Sequence, residues 1–284
     1  MSSESGADII TKKANASTPA SDDSEVPSRW RSSRHALGGI ALPMCATGIL
    51  ILVWQGAVAI FDIPLYILPA PSQFAGVVAS EHSRLLTATL ITGQESVYGF
   101  LLAVAISIPL ALLFASSAIL RKMFYPIVVF FQVIPKIAIT PIFIVWFGVG
   151  LKSIVILTFT LCFFPILVNA LSGFLLLDPR LLDMTKTMAA TRWQAFKYLR
   201  LQAALPFIFS GLRVGIVFAT VGAIVGEFVG SNGGLGYVLQ NATGLLDSKL
   251  AFAALVYLSG LGLVLNYVVV GIEWLSMPWQ RSDR

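Results

Sequence analysis

The sequence predicts an all-α, polytopic membrane protein, and three observations carry that prediction. Apolar residues make up 57% of the 284 positions and charged residues only 12%, where a soluble domain carries about 25% charged residues. The few charges cluster between long apolar runs instead of spreading over a surface, and mean hydropathy is +0.84. Six runs reach the roughly 20 apolar residues that a membrane helix needs. They are residues 36–61, 95–117, 124–148, 153–177, 203–227 and 250–275. A soluble core of this size would need a polar coat that these residues cannot supply, so lipid is the expected solvent.

In chain order, residues 1–34 are rich in Ser, Ala and charge without apolar periodicity, which predicts a disordered tail. The first apolar run starts only near residue 36 and is long, as a retained anchor is and a cleaved signal is not. Beyond it, Pro64, Pro69 and Pro71 in "LYILPAPSQFAGVV" predict an extended stretch before an amphipathic 72–92 region. Glu95 opens the second span. In the third span, Lys136 stands between Pro135 and Pro141 in "QVIPKIAITP", prolines that distort a helix.

Between the fourth and fifth spans lies a segment of another character, "LLDMTKTMAATRWQAFKYLRLQAALP", with Asp183, Lys186, Arg192, Lys197 and Arg200. Asp178-Pro179 is a helix start, a side-chain cap followed by Pro at the first helical position. Thr191 with Gln194 three residues later fits a capping box. Two short helices meeting at Ala189-Ala190 are expected there. The fifth span repeats small residues at Gly211, Gly215, Ala219 and Ala223, with Gly222 and Gly226 at the same spacing. That spacing lets helices approach closely in lipid, either inside one subunit or against a second copy. The following "GSNGGLGYVLQNATGLLDSKL" is Gly-rich and then weakly amphipathic, with room for a short re-entrant or interfacial helix. The expected layout is therefore a tail over 1–34, a six-helix transmembrane domain over 35–279 containing a loop at 178–202, and a C-terminal tail over 280–284.

The cations orient these spans. With the N-terminus in the cytosol, the inner side holds twelve: Arg29, Arg31, Arg34, Arg121, Lys122, Arg180, Lys186, Arg192, Lys197, Arg200, Arg281 and Arg284. The outer side holds three, Arg84, Lys152 and Lys249. Cations gather on the cytoplasmic side of membrane proteins, so both ends are expected inside.

Several chemistries are disfavoured. The net charge of +5 and pI near 9.3 come with no basic stripe interleaved with aromatics, which argues against nucleic acid. "GVGLKS" at 148–153 lacks the spacing of a phosphate loop, and "GSNGGLG" follows no strand as a dinucleotide site requires. Cys45 and Cys162 fall in apolar runs and read as small buried hydrophobes, with no Cys/His cluster to form a metal site. No nucleophile–base constellation marks an enzyme. Charges inside spans are expensive and face a bundle interior or water. Lys136 and Glu227 are therefore candidates for a translocation path or gate, against a structural ion pair or a capped carbonyl. Arg213 is placed to snorkel towards the cytoplasmic side.

The chain resembles the permease subunits of ABC importers, the binding-protein-dependent inner-membrane family, within its nitrate/sulfonate/taurine-like group. "ILPAPSQ", "IPKIAITPIFIVWFGVGLKS", "ATRWQAFKYLRLQAALPFIFSGLRVG" and "GEFVGSNGGLGYVL" carry the likeness over about residues 60–275. The family's loop signature is Glu-Ala-Ala, three residues, Gly, nine residues, Ile, one residue, Leu-Pro. Asp183-Met184-Thr185 falls on its first triplet, Ala189 on the Gly, Leu199 on the Ile and Leu201-Gln202 on the Leu-Pro. The spacing holds while Asp, Ala and Gln replace Glu, Gly and Pro, and an Ala resists a positive φ.

The resemblance implies a type I ABC importer permease fold and a bacterial inner-membrane location. It implies that the 178–202 loop is a coupling helix docked to a cytosolic ATP-binding subunit through Asp183, Thr185, Lys186, Ala189, Ala190, Thr191 and Arg192. ATP would be bound by that partner, with no cofactor in this chain. An extracytoplasmic solute-binding protein would deliver a small solute of sulfonate, nitrate, taurine or vitamin-precursor type, and a second permease copy would complete a homodimer. The alternative is a stand-alone secondary transporter or channel, which places paired charges or broken helices near the midplane and needs no docking hairpin.

Overall fold

The computed structural model describes residues 32–177 and 189–279, which form helices, turns and no strand. Most of the expected N-terminal tail, residues 280–284, and Asp183, Thr185 and Lys186 of the expected docking set lie outside the described residues. The chain divides into two compact units, one up to Val53 and one from Trp54 onward. The helix α1 (Ser32–Ile60) runs through that boundary. Within the second unit, Trp54 near the end of α1 packs its ring against Phe74 and Phe252.

The expected amphipathic 72–92 region resolves into two helices. Helix α2 (Pro71–Ser80) begins with Pro at its first position, and the Ala70 N–H donates to the Gln73 side chain at 2.9 Å. Helix α3 (His82–Ser116) follows after a bend at Glu81. It starts at His82 rather than at 95, because no Pro falls between the two and the single Gly93 does not break the helix. Glu95 consequently lies well inside the helix and does not open it.

The third expected span is broken. Helix α4 (Ala118–Val133) is capped by Ser117, whose hydroxyl accepts from the Leu120 N–H at 3.4 Å. Ile134 then takes an extended conformation, φ −62° and ψ 130°, as the residue before a proline does. A 3-10 turn (Lys136–Ile139) leads into α5 (Thr140–Phe147), and the two arms meet at 80°. The distortion expected from Pro135 is thus a full break. Gly148 and Gly150, at φ 84° and 114°, turn the chain into α6 (Leu151–Leu175). Ser153 donates to their carbonyls at 2.7 and 2.9 Å. That is the work of "GVGLKS".

Helix α7 (Leu201–Gly230) packs against α6 along its small residues. A Cβ added at Gly211 would meet Asn169 Cβ at 2.8 Å, at Gly215 the Ile166 side chain at 2.8 Å, and at Gly222 Thr158 Cα at 2.8 Å. The stripe therefore serves packing within one chain, resolving the choice its spacing left open. Cys162 is buried on the same seam and donates to the Gly215 carbonyl at 3.1 Å. Cys45 is exposed, because α1 leaves that position uncovered in its own unit. Helix α3 lies on the α6–α7 pair, with Gly99 against Thr158 and Ser107 donating to the Phe163 carbonyl at 3.0 Å.

After α7 the Gly-rich stretch forms a short helix, α8 (Leu235–Gly244), as the sequence allowed. Its end is a left-handed cap: Leu246 sits at φ 57°, and the Asp247 N–H donates to the Ala242 carbonyl at 2.8 Å. Asp247 then caps α9 (Ser248–Ser276) by accepting from the Leu250 N–H at 3.1 Å. Among the described residues, α3, α6, α9 and Trp193–Gly230 are long and apolar enough to cross a membrane, and α4–α5 adds a fifth crossing if the bent pair is one span. The first expected span falls in α1, whose Met44–Ile60 portion is a shorter apolar helix.

Candidate functional site

Three places hold the polar groups the sequence singled out. The first is the element leading into α7. Ala189 adopts φ 55°, so the left-handed turn exists at the position where the family signature has Gly. The Thr191 N–H donates to Gln194 Oε1 at 2.8 Å, and the Gln194 N–H returns to Thr191 Oγ1 at 3.3 Å. That reciprocal pair is the expected capping box. One α-turn (Arg192–Ala195) runs into a π-helical segment (Phe196–Arg200) that continues into α7. Ala190 is half-buried, whereas Ala189, Thr191, Trp193 and Tyr198 are exposed.

The second place is the break between α4 and α5. Lys136 is half-buried there, its Nζ donating to the Gln132 carbonyl at 3.1 Å and lying 4.9 Å from the Phe164 ring centre. Gln132 is in the last turn of α4, where carbonyls lack intrahelical donors. The lysine caps the end its own break creates. The same cation near an aromatic face gains a further attraction.

The third place is the end of α7 remote from residue 201. Glu227 is fully buried. Its Oε1 accepts from Thr92 Oγ1 of α3 at 2.6 Å, and its Oε2 accepts from the N–H of Gly236 in the first turn of α8. The Tyr237 N–H adds a further donor. A carboxylate is favoured at a helix N-terminus, where N–H groups have no intrahelical partner. Thr92 Oγ1 also accepts from the Leu235 N–H at 2.8 Å. Gly234, at φ 92°, and Gly236 let this backbone approach, since a Cβ at Gly234 would lie 2.1 Å from Glu227 Oε1. Glu95, only 4% exposed, faces Glu227 from one turn further along α3.

A cleft of about 510 Å³ opens beside this node, lined by Arg84, Thr87, Asn232, Gly234 and Tyr237 among others. Its walls are the start of α3 and the α7–α8 turn. Arg213 does not stand alone in α7: it pairs with Glu273 of α9. The structure thus gives this arginine, expected to snorkel, an interhelical ion-pair partner. Lys136, Glu227 and the 189–194 turn occupy three separate places. Thr92, Glu95 and Glu273 were not singled out as partners. One signal for the first two was available: Thr92, Glu95, Ser96 and Gly99 share one face of α3 at helical spacing in an otherwise apolar run.

The model for the family described as binding-protein-dependent transport system inner membrane component matches residues 103–273. The riboflavin transport system permease protein RibX of Chloroflexus aurantiacus is 37% identical over 85% of this chain and 91% of its own length. The formylaminopyrimidine transport permease protein ThiX of Halalkalibacterium halodurans is 32% identical over 83% of this chain and 94% of its own. A chain of the inward-facing MetNI methionine ABC transporter shares the fold, with a TM-score of 0.60 at 20% identity over 68% of this chain and 96% of that one.

Proposed function

The chain belongs to the binding-protein-dependent transport system inner membrane components, and from that premise we propose how its parts serve import. It is the transmembrane permease subunit of an ATP-driven ABC importer for a small solute. Residues 178–202 act as its coupling element, docking in a cytosolic ATP-binding subunit through Asp183, Thr185, Lys186, Ala189, Ala190, Thr191 and Arg192. ATP is bound by that partner. A solute-binding protein delivers cargo to the opposite side, a second copy of this chain completes the path, and both termini lie in the cytosol of a bacterial cell.

The observation that carries the docking role is the capped left-handed turn at Ala189–Gln194. A loop that merely joins two spans needs neither a strained turn nor a reciprocal cap. The turn leaves Trp193 and Tyr198 exposed beside it. Aromatic residues of this kind are the usual anchors of a protein interface. A broken helix and a buried acidic pair are also what a solitary transporter would show, but such a protein has no use for the docking turn.

For cargo, we favour the vitamin-precursor type over sulfonates, nitrate or taurine, since the riboflavin and formylaminopyrimidine permeases are 37% and 32% identical to this chain, against 26% and 24% for the aliphatic sulfonate and taurine permeases. Lys136 at the break is the candidate for the path, and Glu227 for a gate. The test is co-purification with the ATP-binding subunit. Asp183→Arg should reduce the recovered complex at least about tenfold, the loss expected when a charged interface contact worth roughly 1.4 kcal/mol or more is reversed, with membrane insertion unchanged. If the wild-type chain never captures the ATPase, the docking role is wrong.

A further inference from the structure

The contact between Glu95 and Glu227 has a chemical consequence. Glu227 is supplied with donors on both oxygens, from Thr92 on Oε1 and from the Gly236 N–H on Oε2, and the Tyr237 N–H is a further donor to its carboxyl. It is therefore the acceptor of the pair. Glu95 Oε2 is buried and receives no hydrogen bond from any donor, while its carboxyl lies within hydrogen-bonding reach of Glu227. Two ionised carboxylates in such contact repel, and one of the pair must keep a proton. A buried carboxyl oxygen without a donor is costly as an anion but satisfied as an acid that donates.

We propose that Glu95 is a proton-binding site: a neutral carboxylic acid that donates to the Glu227 carboxylate and so latches α8 to α3 and α7. The proton supplies the one donor the cluster lacks. Because Glu227 also holds the first turn of α8, loss of that proton would set two negative charges against each other beneath the helix. The latch lies about 39 Å along α7 from Leu201, at 1.5 Å per residue, at the end where the 510 Å³ cleft opens. Water in that cleft is the nearest source and sink for the proton.

No other charge in the described residues competes for this role. In α3, Arg84 is engaged by Glu81 at 3.7 Å on the cleft's rim. Lys152 of α6 lines a separate lateral pocket with Tyr98 and Phe147. Tyr237 of α8 offers its backbone N–H, and its side chain lines the cleft. Asp247 caps α9 and is followed by Lys249 in its first turn. Helix α5 carries no charged residue.

The full chain in lipid nanodiscs tests this by infrared spectroscopy and thermal unfolding. Wild type should show the carbonyl stretch of a protonated carboxylic acid, and Glu95→Gln should abolish it. Glu95→Gln keeps a donor towards Glu227, so its unfolding midpoint should stay within a few degrees of wild type, while Glu95→Ala, which removes the donor, should lower it clearly. Absence of the acid band from wild type overturns the proposal. So does a Glu95→Gln variant as unstable as Glu95→Ala, because it would mean that Glu95 acts through charge. These readings do not involve transport or the ATPase, so they fail or succeed apart from the coupling role.

Discussion

Ala189 shows how much a single dihedral angle can matter. A non-glycine residue at φ 55° carries Cβ crowding worth about 1–2 kcal/mol, and the chain accepts that cost at the one turn that joins the charged loop to α7. The sequence showed the right spacing with an Ala that resists such a turn, and the structure keeps the turn anyway, because the Thr191–Gln194 box fixes the backbone beyond it. Ala189→Gly should relieve roughly 1 kcal/mol after allowing for the greater freedom of an unfolded glycine. Hydrogen exchange reads this directly: amides of residues 191–195 should exchange about fivefold more slowly, as 1 kcal/mol implies. Unchanged or faster exchange would show that the Ala189 turn is not strained. The Glu95–Glu227 contact was not legible in the same way. Those residues are 132 positions apart, and no local rule pairs two acids that face each other through α3 and α7.

The spans were legible at the scale of elements because hydropathy runs are long and lipid admits few alternatives to a helix. Where they fell short, the reason is local. α3 extends back to His82 because an amphipathic approach and an apolar span share one helical period, so composition alone places the boundary too late. The small-residue stripe of α7 was visible, but spacing does not say which surface fills it. Packing does. At Gly222 a Cβ would fall 2.8 Å from Thr158 Cα, a backbone atom that cannot swing aside, whereas at Gly260 of α9 nothing lies within 4 Å. Gly222→Val should therefore push α6 from α7 and cost about 1–3 kcal/mol. Gly260→Ala should be neutral or stabilise by about 0.5–1 kcal/mol. Thermal unfolding of the two variants in one detergent decides it, and equal midpoints would mean that the α6–α7 seam is loose.

The whole molecule's topology turns on the broken element, since an 80° bend is also what a re-entrant loop would show. Packing at the two ends of the α6–α7 pair settles whether the bent pair traverses it. At one end, Ala111 and Phe114 of α3 cluster with Leu171 and Phe174 of α6 and Ala204 of α7, and Leu120 of α4 packs there, with Phe124 stacked on Phe114. At the other end, Ile144 of α5 closes on Gly230, the last residue of α7, and the Gly150 N–H donates to the Gly230 carbonyl at 2.9 Å. The chain thus enters α4 beside the start of α7 and leaves α5 beside its finish, covering the length of a helix of about 45 Å at 1.5 Å per residue.

The cations give the same answer independently. If the first span crosses with the N-terminus inside, as the sequence predicts, a crossing pair puts twelve inside against three outside. Were it to re-enter, Lys152 and Lys249 would move inside, and the five of the 178–202 loop and the two of the C-terminal tail would move outside. That leaves seven inside against eight outside, among the same fifteen residues, and no bias for the membrane to read. Tags at the two ends should therefore be cleaved together in inverted vesicles and protected together in right-side-out cells. Cleavage of one tag in each preparation would place the ends on opposite sides. The 178–202 loop would then face away from cytosolic ATP, and the coupling role would fall with the crossing.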